Sequence, residues 1–424
     1  MQPNHNPKVL VVGTTADYIE WIRRACPGRA LFLTEPGVRR TALEPAPAPV
    51  EELLSDLADY DAARDALRAH LLAWELKLDG IACFDCESME LTAVLAEEFH
   101  LSYPSAETIG RCRDKYASKR LWQESGVPCP RTRLVRSSAE LGAFFEDIGG
   151  PCVLKPLTGS GSELVFCCSD PEECERALLE IRRGLEARET HRMYGNSVSK
   201  GPCVVAEEFV AGTEFSCDFL VRDDRVDVLR LTRKIHSTEG PFGTIRGYAL
   251  VTRPPGDMDQ RRFERVLGDG AKALGITDAI CMVDFLVRDE GIVLLEMTPR
   301  PGGDCLPFLL REAGHLDPLI LTLDIAQRRP VRPVLYTGAK NWVGLRLHAG
   351  RNGVLRAMDV RPLRRDPRVR EVHLIRTPGH IVRMPPEDYD SWLLGHVLME
   401  PFAEPDVETQ CHELFGRFVV EIES

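Results

Sequence analysis

Two carboxylate side chains each interrupt an apolar stretch of the sequence. Asp284 lies within Cys281–Val287 and Glu296 within Ile292–Met297, on the two arms of a hairpin predicted around 288–291. A carboxylate among apolar residues costs several kcal/mol unless it is paired or bound to a metal. Because residues on paired strands can face the same side, the two groups could hold one or two Mg²⁺ ions through oxygen ligands. A hairpin face exposed to water is the alternative.

A lysine at the end of a predicted strand is the second candidate. Lys155 closes the strand Pro151–Pro156, and the glycine- and serine-rich turn Leu157–Ser162 follows it. The charge of such a lysine and the open backbone N–H groups of the turn can bind phosphate oxygens. The turn is not a Walker A motif, because no Gly-Lys-Ser/Thr follows. An ordinary hairpin turn is the alternative.

An arginine and two glycines come directly after the second carboxylate. The segment Glu296–Asp304 contains Arg300, Gly302 and Gly303. An arginine at this point can stabilise negative charge that develops on a phosphoryl or acyl group.

The elements that position these groups predict an α/β fold. Short apolar strands alternate with amphipathic helices at the start of the chain, which indicates a parallel sheet with helices on both faces. The predicted strands are Lys8–Gly13, Ala30–Thr34 and Gly80–Phe84, and the predicted helices are Asp17–Ala25 and Glu51–Leu76. No G-x-G-x-x-G motif follows the first strand, so a dinucleotide site is not predicted there.

Further along the chain, strands and helices continue to alternate. A helix over Lys115–Ser125 is capped by Asp114 and stopped by Gly126 and Pro128. The other predicted helices are 171–189, 261–275 and 408–415, and the other predicted strands are 164–168, 203–210, 214–221, 343–348, 372–376 and 418–422. We expect an α/β block over 1–104, a central unit over 105–330 and a β-rich block over 331–424.

Composition restricts the possible partners and the compartment. The chain has 424 residues, 53 Lys and Arg against 65 Asp and Glu, and a net charge of −12. This balance argues against nucleic-acid and anionic-membrane binding, and no apolar stretch is long enough for a signal peptide or a membrane span. The 14 cysteines are scattered, which favours reduced thiols in the cytoplasm. Cys83 and Cys86 have CxxC spacing; strand-end packing is favoured over a redox or zinc role.

Five segments resemble, in the same order, the motifs of the ATP-grasp superfamily. They are Asp114-Lys115 with Gly126-Val-Pro128, Val153–Pro156 with Gly159–Ser162, Ala206–Glu214, Val283-Asp284, and Glu296–Arg300 with Gly302-Gly303. The resemblance covers about Arg113 to Asp304, and the chain has the usual three-part order. It implies the ATP-grasp fold, with an N-terminal Rossmann-like parallel sheet, a central lid at about 128–205 and a C-terminal β-rich subdomain.

The resemblance also implies residue roles. ATP would be bound by Lys115, Lys155, Gly159, Ser160, Gly161, Ser162, Glu207, Glu208, Phe209, Val210 and Glu214. Mg²⁺ or Mn²⁺ would be held by Asp284, Glu296 and Thr298, which stands where the family usually has Asn. Lys234 would approach the γ-phosphate and Arg300 would stabilise an acyl phosphate or tetrahedral intermediate, while His236, Arg246, Gly302 and Gly303 would border the substrates.

The implied activity is ATP-dependent joining of a small-molecule carboxylate to an amine through an acyl phosphate. The order of domains is most similar to that of the L-amino-acid ligases, and a homodimer is the candidate assembly. A biotin-carboxylase-like or purine-pathway ligase is the alternative enzyme. A nucleotide-binding regulatory protein without catalysis is the alternative from another class.

Overall fold

The computed structural model describes residues 7–194, 203–256, 258–289, 291–314, 316–331 and 341–424. Strands and helices are mixed throughout, and one parallel sheet stands beside three antiparallel ones, which confirms the α/β fold class. Within the described residues, no helix has both the length and the apolar character needed to cross a bilayer.

The N-terminal sheet is parallel, in the order β3-β2-β1-β4. Its strands are β1 (Lys8–Val12), β2 (Ala30–Thr34), β3 (Glu52–Leu54) and β4 (Leu78–Ala82). The helices between and after them are α1 (Ala16–Ala25), α2 (Pro36–Thr41), α3 (Tyr60–Ala73) and α4 (Met89–Glu98). The helix predicted over 51–76 was wrong at its start, because Glu52–Leu54 pairs with β2 as an edge strand.

Two helices connect this sheet to the rest of the chain: α5 (Ala106–Arg113) and α6 (Lys115–Glu124). Asp114 caps α6, because its carboxylate accepts hydrogen bonds from the backbone N–H groups of Tyr116 at 3.1 Å and Ala117 at 2.8 Å. This cap fixes the first turn of α6. Lys115 and Lys119, one helical turn apart, are both buried.

A small antiparallel sheet follows, in the order β5-β8-β6-β7. It contains β5 (Thr132–Val135), β6 (Cys152–Pro156), β7 (Phe166–Cys168) and β8 (Val204–Glu208). The helices α7 (Ser138–Ile148) and α8 (Pro171–Glu186) pack against it, and a 3-10 turn covers Arg192–Tyr194. These elements occupy the segment expected as the lid, of which residues 195–202 lie outside the described residues.

The largest sheet is antiparallel and has eight strands. Its order is β13-β12-β9-β10-β11-β14-β18-β16. The strands are β9 (Thr213–Arg222), β10 (Arg225–His236), β11 (Ile245–Leu250), β12 (Asp278–Arg288), β13 (Gly291–Thr298), β14 (Val343–His348), β16 (Val369–Leu374) and β18 (Leu393–Met399). Helix α9 (Gln260–Leu274) covers one face, with α10 (Leu306–Glu312) and α11 (Pro318–Ala326) on the side of the N-terminal sheet.

The C-terminal segment contributes to this same sheet. Residues 343–345 of β14 pair with residues 247–249 of β11, so the boundary expected at residue 330 does not separate two sheets. The remaining elements are β15 (Gly353–Asp359), β17 (Ile381–Val382) and β19 (Val419–Glu423), which form a three-stranded sheet, and the helices α12 (Arg361–Arg364) and α13 (Val407–Phe415).

A buried ion pair crosses the large sheet. Arg230 on β10 and Asp218 on β9 are both buried, and two guanidinium nitrogens each lie 2.9 Å from a different carboxylate oxygen. One of those oxygens, Oδ1, also accepts a hydrogen bond from the backbone N–H of Gly302 at 3.0 Å. The pair therefore connects two strands to the loop that follows Arg300.

Two histidines buried in the C-terminal strands should make the fold sensitive to acid. Burial is the main reason why the pKa of His396 falls from 6.5 to about 3 and that of His348 to about 2. Both rings stay neutral in the folded chain while the unfolded chain gains protons below pH 6.5. Stability should therefore fall by up to about 1.4 kcal/mol per pH unit per histidine between pH 6.5 and 3.

Urea unfolding at several pH values measures this effect. His396→Gln should reduce the slope of unfolding free energy against pH by about half, whereas His100→Gln, at an exposed position, should leave it as in the parent chain. Identical slopes for His396→Gln and the parent chain would contradict the assignment.

Candidate active site

A cavity of about 510 Å³ lies between the four-stranded antiparallel sheet β5-β8-β6-β7 and the eight-stranded sheet. The four-stranded sheet contributes Lys155 and the turn after it, and the large sheet contributes Lys234, Asp284 and Glu296. Most of the charged residues predicted from the sequence are therefore brought to one cavity. It is lined by Lys115, Lys155, Gly159 to Ser162, Glu207 to Val210, Glu214, Lys234, His236, Asp284, Glu296, Arg300 and Gly303.

The two carboxylates of the hairpin are direct neighbours. Asp284 on β12 is the cross-strand partner of Glu296 on β13. Asp284 Oδ2 lies 2.7 Å from Lys234 Nζ, whereas its Oδ1 is buried and has no hydrogen-bond partner among the described residues. Glu296 Oε1 lies 3.5 Å from Lys115 Nζ. A buried carboxylate oxygen without a partner beside a second carboxylate fits a divalent cation that takes oxygen ligands.

Burial and nearby lysines have opposite effects on the pKa values of these two carboxylates. Burial raises the pKa of Asp284, although the ammonium of Lys234 works against that rise. Burial acts the same way on Glu296, but Lys115, Lys155, Lys119 and Lys234 hold its pKa below the usual value. Glu296 is therefore the carboxylate that the surrounding charge keeps ionised.

A buried carboxylate near the end of β8 bridges two lysines. Glu207 on β8 is 2% exposed; its Oε2 lies 2.7 Å from Lys155 Nζ and its Oε1 lies 3.2 Å from Lys119 Nζ. Burial opposes ionisation of Glu207, but the two lysines lower its pKa. Lys119, whose ammonium also donates to the carbonyl of Leu295, was missed by sequence reasoning. Its position four residues after Lys115, on the same helix face, was the available signal.

A second charged group lies on β9 and β10. Glu214 accepts from Lys234 Nζ at 2.6 Å through Oε1, and its Oε2 lies 3.0 Å from His236 Nε2. Although burial opposes ionisation, the charges of Lys234 and His236 lower the pKa of Glu214 to about 2. Lys234 thus joins Glu214 to Asp284, and the carboxylates raise its own pKa despite burial.

The glycine-rich turn depends on backbone conformations that favour glycine. Gly159 has φ +141° and Gly161 has φ +67°, and a Cβ on Gly159 would lie 3.1 Å from the ring of Tyr194. Lys115 Nζ donates to the carbonyl of Gly159 at 2.8 Å. The turn is therefore joined to the helix that carries Lys115, and the position of Gly159 leaves little room for a side chain.

Arg300 reaches the N-terminal domain. Its Nε and one terminal nitrogen lie 3.1 and 2.9 Å from Cys86 Sγ, and the other terminal nitrogen donates to the carbonyl of Pro301 at 2.8 Å. The second cysteine of the CxxC spacing therefore contacts an arginine of the cavity, whereas Cys83 is buried and its thiol donates to the carbonyl of Asp85.

Three predicted site residues lie outside the cavity lining. Thr298 donates from its hydroxyl to Met89 Sδ at 3.3 Å, and Gly302 contacts Asp218. Arg246 donates to Ser237 Oγ at 2.8 Å and places its guanidinium 3.7 Å from the ring centre of Phe415. The structure does not bring these side chains together with the carboxylates.

At the end of the cavity near the C-terminal strands, the lining contains residues that sequence reasoning missed. Arg346 on β14 lies 2.7 Å from Asp304 and donates to the carbonyl of Ile245 at 3.2 Å. Tyr248 and Trp392 also line this end. Arg346 stands in the apolar strand Val343–His348, and a charge in a buried strand was the signal.

Parts of the chain are similar to known proteins. Residues 148–307 match the ATP-grasp domain family. A D-alanine--D-alanine ligase of Acidovorax ebreus is 27% identical over 45% of this chain and 54% of its own length. Carnosine synthase 1 of Homo sapiens is 26% identical over 66% of this chain and 35% of its own length. The chain thus spans about half or less of these curated relatives.

One solved structure matches the chain from end to end. The crystal structure of an L-amino acid ligase from Bacillus licheniformis has a TM-score of 0.76 and 20% sequence identity, and the match covers 99% of this chain and 100% of that one. At this identity the likeness concerns the fold. Residues 148–307 thus match the ATP-grasp domain family, and the whole chain has the fold of the solved ligase.

Proposed function

We propose that the protein is an ATP-dependent ligase that joins a small-molecule carboxylate to an amine, with amino acids or peptides as the substrates. The observation that carries the proposal is the meeting of three lysines and two carboxylates in one cavity, with Arg300 beside them. Three lysines provide charge for a polyphosphate, and the carboxylates provide ligands for the cation that accompanies it. The similar proteins, which include a D-alanine--D-alanine ligase and an L-amino acid ligase, support the same class.

The nucleotide would lie between the lid sheet and the large sheet. Lys115 and Lys155, with the backbone of the turn Gly159–Ser162, bind its phosphates. The base lies against Glu207–Val210, where the exposed rings of Phe209 and Phe242, 6.5 Å apart between centres, provide apolar surface. The Glu214 carboxylate accepts from the ribose hydroxyls.

Asp284 and Glu296 are the residues that would hold Mg²⁺ or Mn²⁺, because the Asp284 oxygen without a partner needs a cationic ligand. When bound, the cation supplies positive charge that offsets the charge of the phosphates. Thr298 is left out of this ligand set, since its hydroxyl donates to Met89.

A carboxylate must be activated before an amine can attack it. A carboxylate oxygen attacks the γ-phosphorus of ATP, ADP leaves, and an acyl phosphate forms. The amine then attacks the carbonyl carbon; the C–N bond forms, inorganic phosphate leaves, and the proton from the amine passes to solvent. Lys234 and Arg300 stabilise the charge on the transferring group, and the lid excludes water from the acyl phosphate.

Release of ADP and phosphate tests the function. The protein is incubated with ATP, Mg²⁺ and pooled amino acids, offered singly and in pairs. Release that requires pairs, with a new amide product by mass spectrometry, supports the ligase. Release that depends on bicarbonate favours a biotin-carboxylase-like or purine-pathway enzyme instead. Tight ATP binding without turnover under any of these conditions would refute both enzymes and favour a regulatory nucleotide-binding protein.

Compartment and assembly are part of the same proposal. All 14 cysteines of the chain are free, which suits a reducing cytoplasm. Small molecules are the proposed partners, and a homodimer stays a prediction.

Arg346 is expected to bind the carboxylate group of a substrate. Arg346→Gln should raise the KM of that substrate about 10- to 100-fold, because a charge-assisted hydrogen bond contributes about 1.5–3 kcal/mol, while the KM of ATP changes little. Steady-state kinetics with each substrate varied in turn measure this. Arg246→Gln is the matched control, because that arginine contacts Phe415 outside the cavity lining. An effect of Arg246→Gln larger than that of Arg346→Gln would contradict the assignment.

A further inference from the structure

Three cysteine sulfurs meet inside the lid. Cys152 on β6, Cys168 on β7 and Cys174 on α8 are all buried, and their Sγ atoms all lie within 4.8 Å of one another. The sulfurs of Cys152 and Cys174 are 3.5 Å apart. In the described part of the chain, this is the one group of three or more histidine, cysteine or acidic side chains whose potential ligand atoms all lie within 4.8 Å of one another.

The arrangement follows from the register of the sheet. Cys152 and Cys168 are direct cross-strand partners, so their side chains point to the same face. Helix α8 crosses that face, and its second turn places Cys174 above the pair. Cys167, one residue before Cys168, alternates away from this face and is half-buried.

Single buried cysteines usually behave as small apolar residues, but three sulfurs from three elements have a different chemistry. Three thiolates are preferred ligands of soft and borderline metal ions. Metal–sulfur bonds of about 2.3 Å place sulfurs roughly 3.8 Å apart around a Zn²⁺ ion. The observed separations, which are 3.5 Å for Cys152–Cys174 and within 4.8 Å for all three pairs, therefore need only small shifts.

We propose that Cys152, Cys168 and Cys174 form a binding site for one thiophilic divalent ion of the Zn²⁺ class. Binding exchanges three thiol protons, which pass to solvent, for three metal–sulfur bonds, and no oxidant is needed. The three thiolates and the ion leave a net charge of −1. The N-terminal end of α8, a helix of 16 residues, offsets part of this charge.

An ion bound at these cysteines would lie directly behind one wall of the proposed nucleotide cavity. On β6, Cys152 and Leu154 face the lid core, whereas Val153 and Lys155 face the cavity. A bound ion would tie β6 to β7 and α8 directly behind the strand that carries Lys155. The inference does not depend on the catalytic proposal, since it concerns binding only.

Titration of the reduced full-length protein with Cd²⁺ tests the site through the sulfur-to-cadmium charge-transfer absorption. We expect one tightly bound equivalent in the parent chain and in the control Cys167→Ser. In Cys174→Ser we expect affinity at least 100-fold lower, and Zn²⁺ should displace Cd²⁺ from the parent chain. Proton release measured in weak buffer should approach three per ion.

Equal uptake of cadmium by the parent chain and Cys174→Ser would overturn the proposal. Absence of a tightly bound equivalent of Cd²⁺ in the parent chain would overturn the proposal as well. This holds also if a disulfide between Cys152 and Cys174 is found before reduction. If Cys174→Ser fails to fold, as judged by circular dichroism, Cys168→Ser is the second variant, with the same expected loss.

Discussion

Glu296→Gln is expected to abolish turnover while nucleotide binding persists. Glutamine keeps the shape of the side chain but removes the negative charge of the Glu296 carboxylate, which the surrounding lysines keep ionised. Without that charge, Asp284 alone faces the cation, and Lys115 loses its partner at 3.5 Å. We expect at least about 1,000-fold slower formation of ADP, in line with the loss of one strong electrostatic contact in an active site.

Two measurements are needed on this variant: ADP release under saturating substrates, and nucleotide affinity by calorimetry. Affinity should stay within about tenfold of the parent value, because Lys155 and the glycine-rich turn are unchanged. Glu163→Gln is the matched control, since that carboxylate also lines the cavity but pairs with Arg188 at 2.9 Å. Turnover of Glu296→Gln close to that of the parent chain would refute the metal-ligand assignment.

Asp218→Ala is expected to produce the largest loss of stability. The substitution leaves the Arg230 guanidinium, which is 0% exposed, without its partner in the middle of the large sheet. Breaking a buried ion pair on one side costs about 3–5 kcal/mol, because an uncompensated charge stays buried. It also removes the acceptor for the Gly302 N–H, so the loop after Arg300 should loosen.

Chemical denaturation at neutral pH measures this loss. Asp227→Ala is the control on β10, because its pair with Arg225 is at the surface and should contribute less than about 1 kcal/mol. Similar unfolding free energies for the two variants would contradict the role of the buried pair.

The contrast between Arg346 and Arg246 illustrates how far the sequence could predict the site. Two apolar runs around a turn predicted that Asp284 and Glu296 lie on a hairpin, and the structure pairs them across β12 and β13. Arg246 was expected at the substrates from the resemblance to the ATP-grasp superfamily. The side chain instead contacts Phe415 on α13, while Arg346 reaches the cavity. Which arginine faces inward depends on strand pairing between residues distant in sequence, and no local pattern encodes that pairing.

The same reason explains Thr298 and Cys86. Thr298 stands two residues after Glu296 on one strand, so its spacing alone predicts a shared face. The N-terminal domain supplies Met89 as a closer partner. Cys86 was expected to pack at a strand end, and its contact with Arg300 joins residues from two domains. Local elements and their caps, such as Asp114 before α6, were predictable because they depend on neighbours in the chain.

The continuous eight-stranded sheet has a consequence for how specificity can change among related chains. The matched ATP-grasp domain ends at residue 307, yet the end of the cavity that holds Arg346 and Trp392 is encoded after it. We therefore expect similarity measured over that domain to reflect the proposed nucleotide binding more than the choice of substrates. Because β14 is hydrogen-bonded into the same sheet as β11, exchanging the C-terminal segment between relatives should transfer substrate preference while the nucleotide half stays constant.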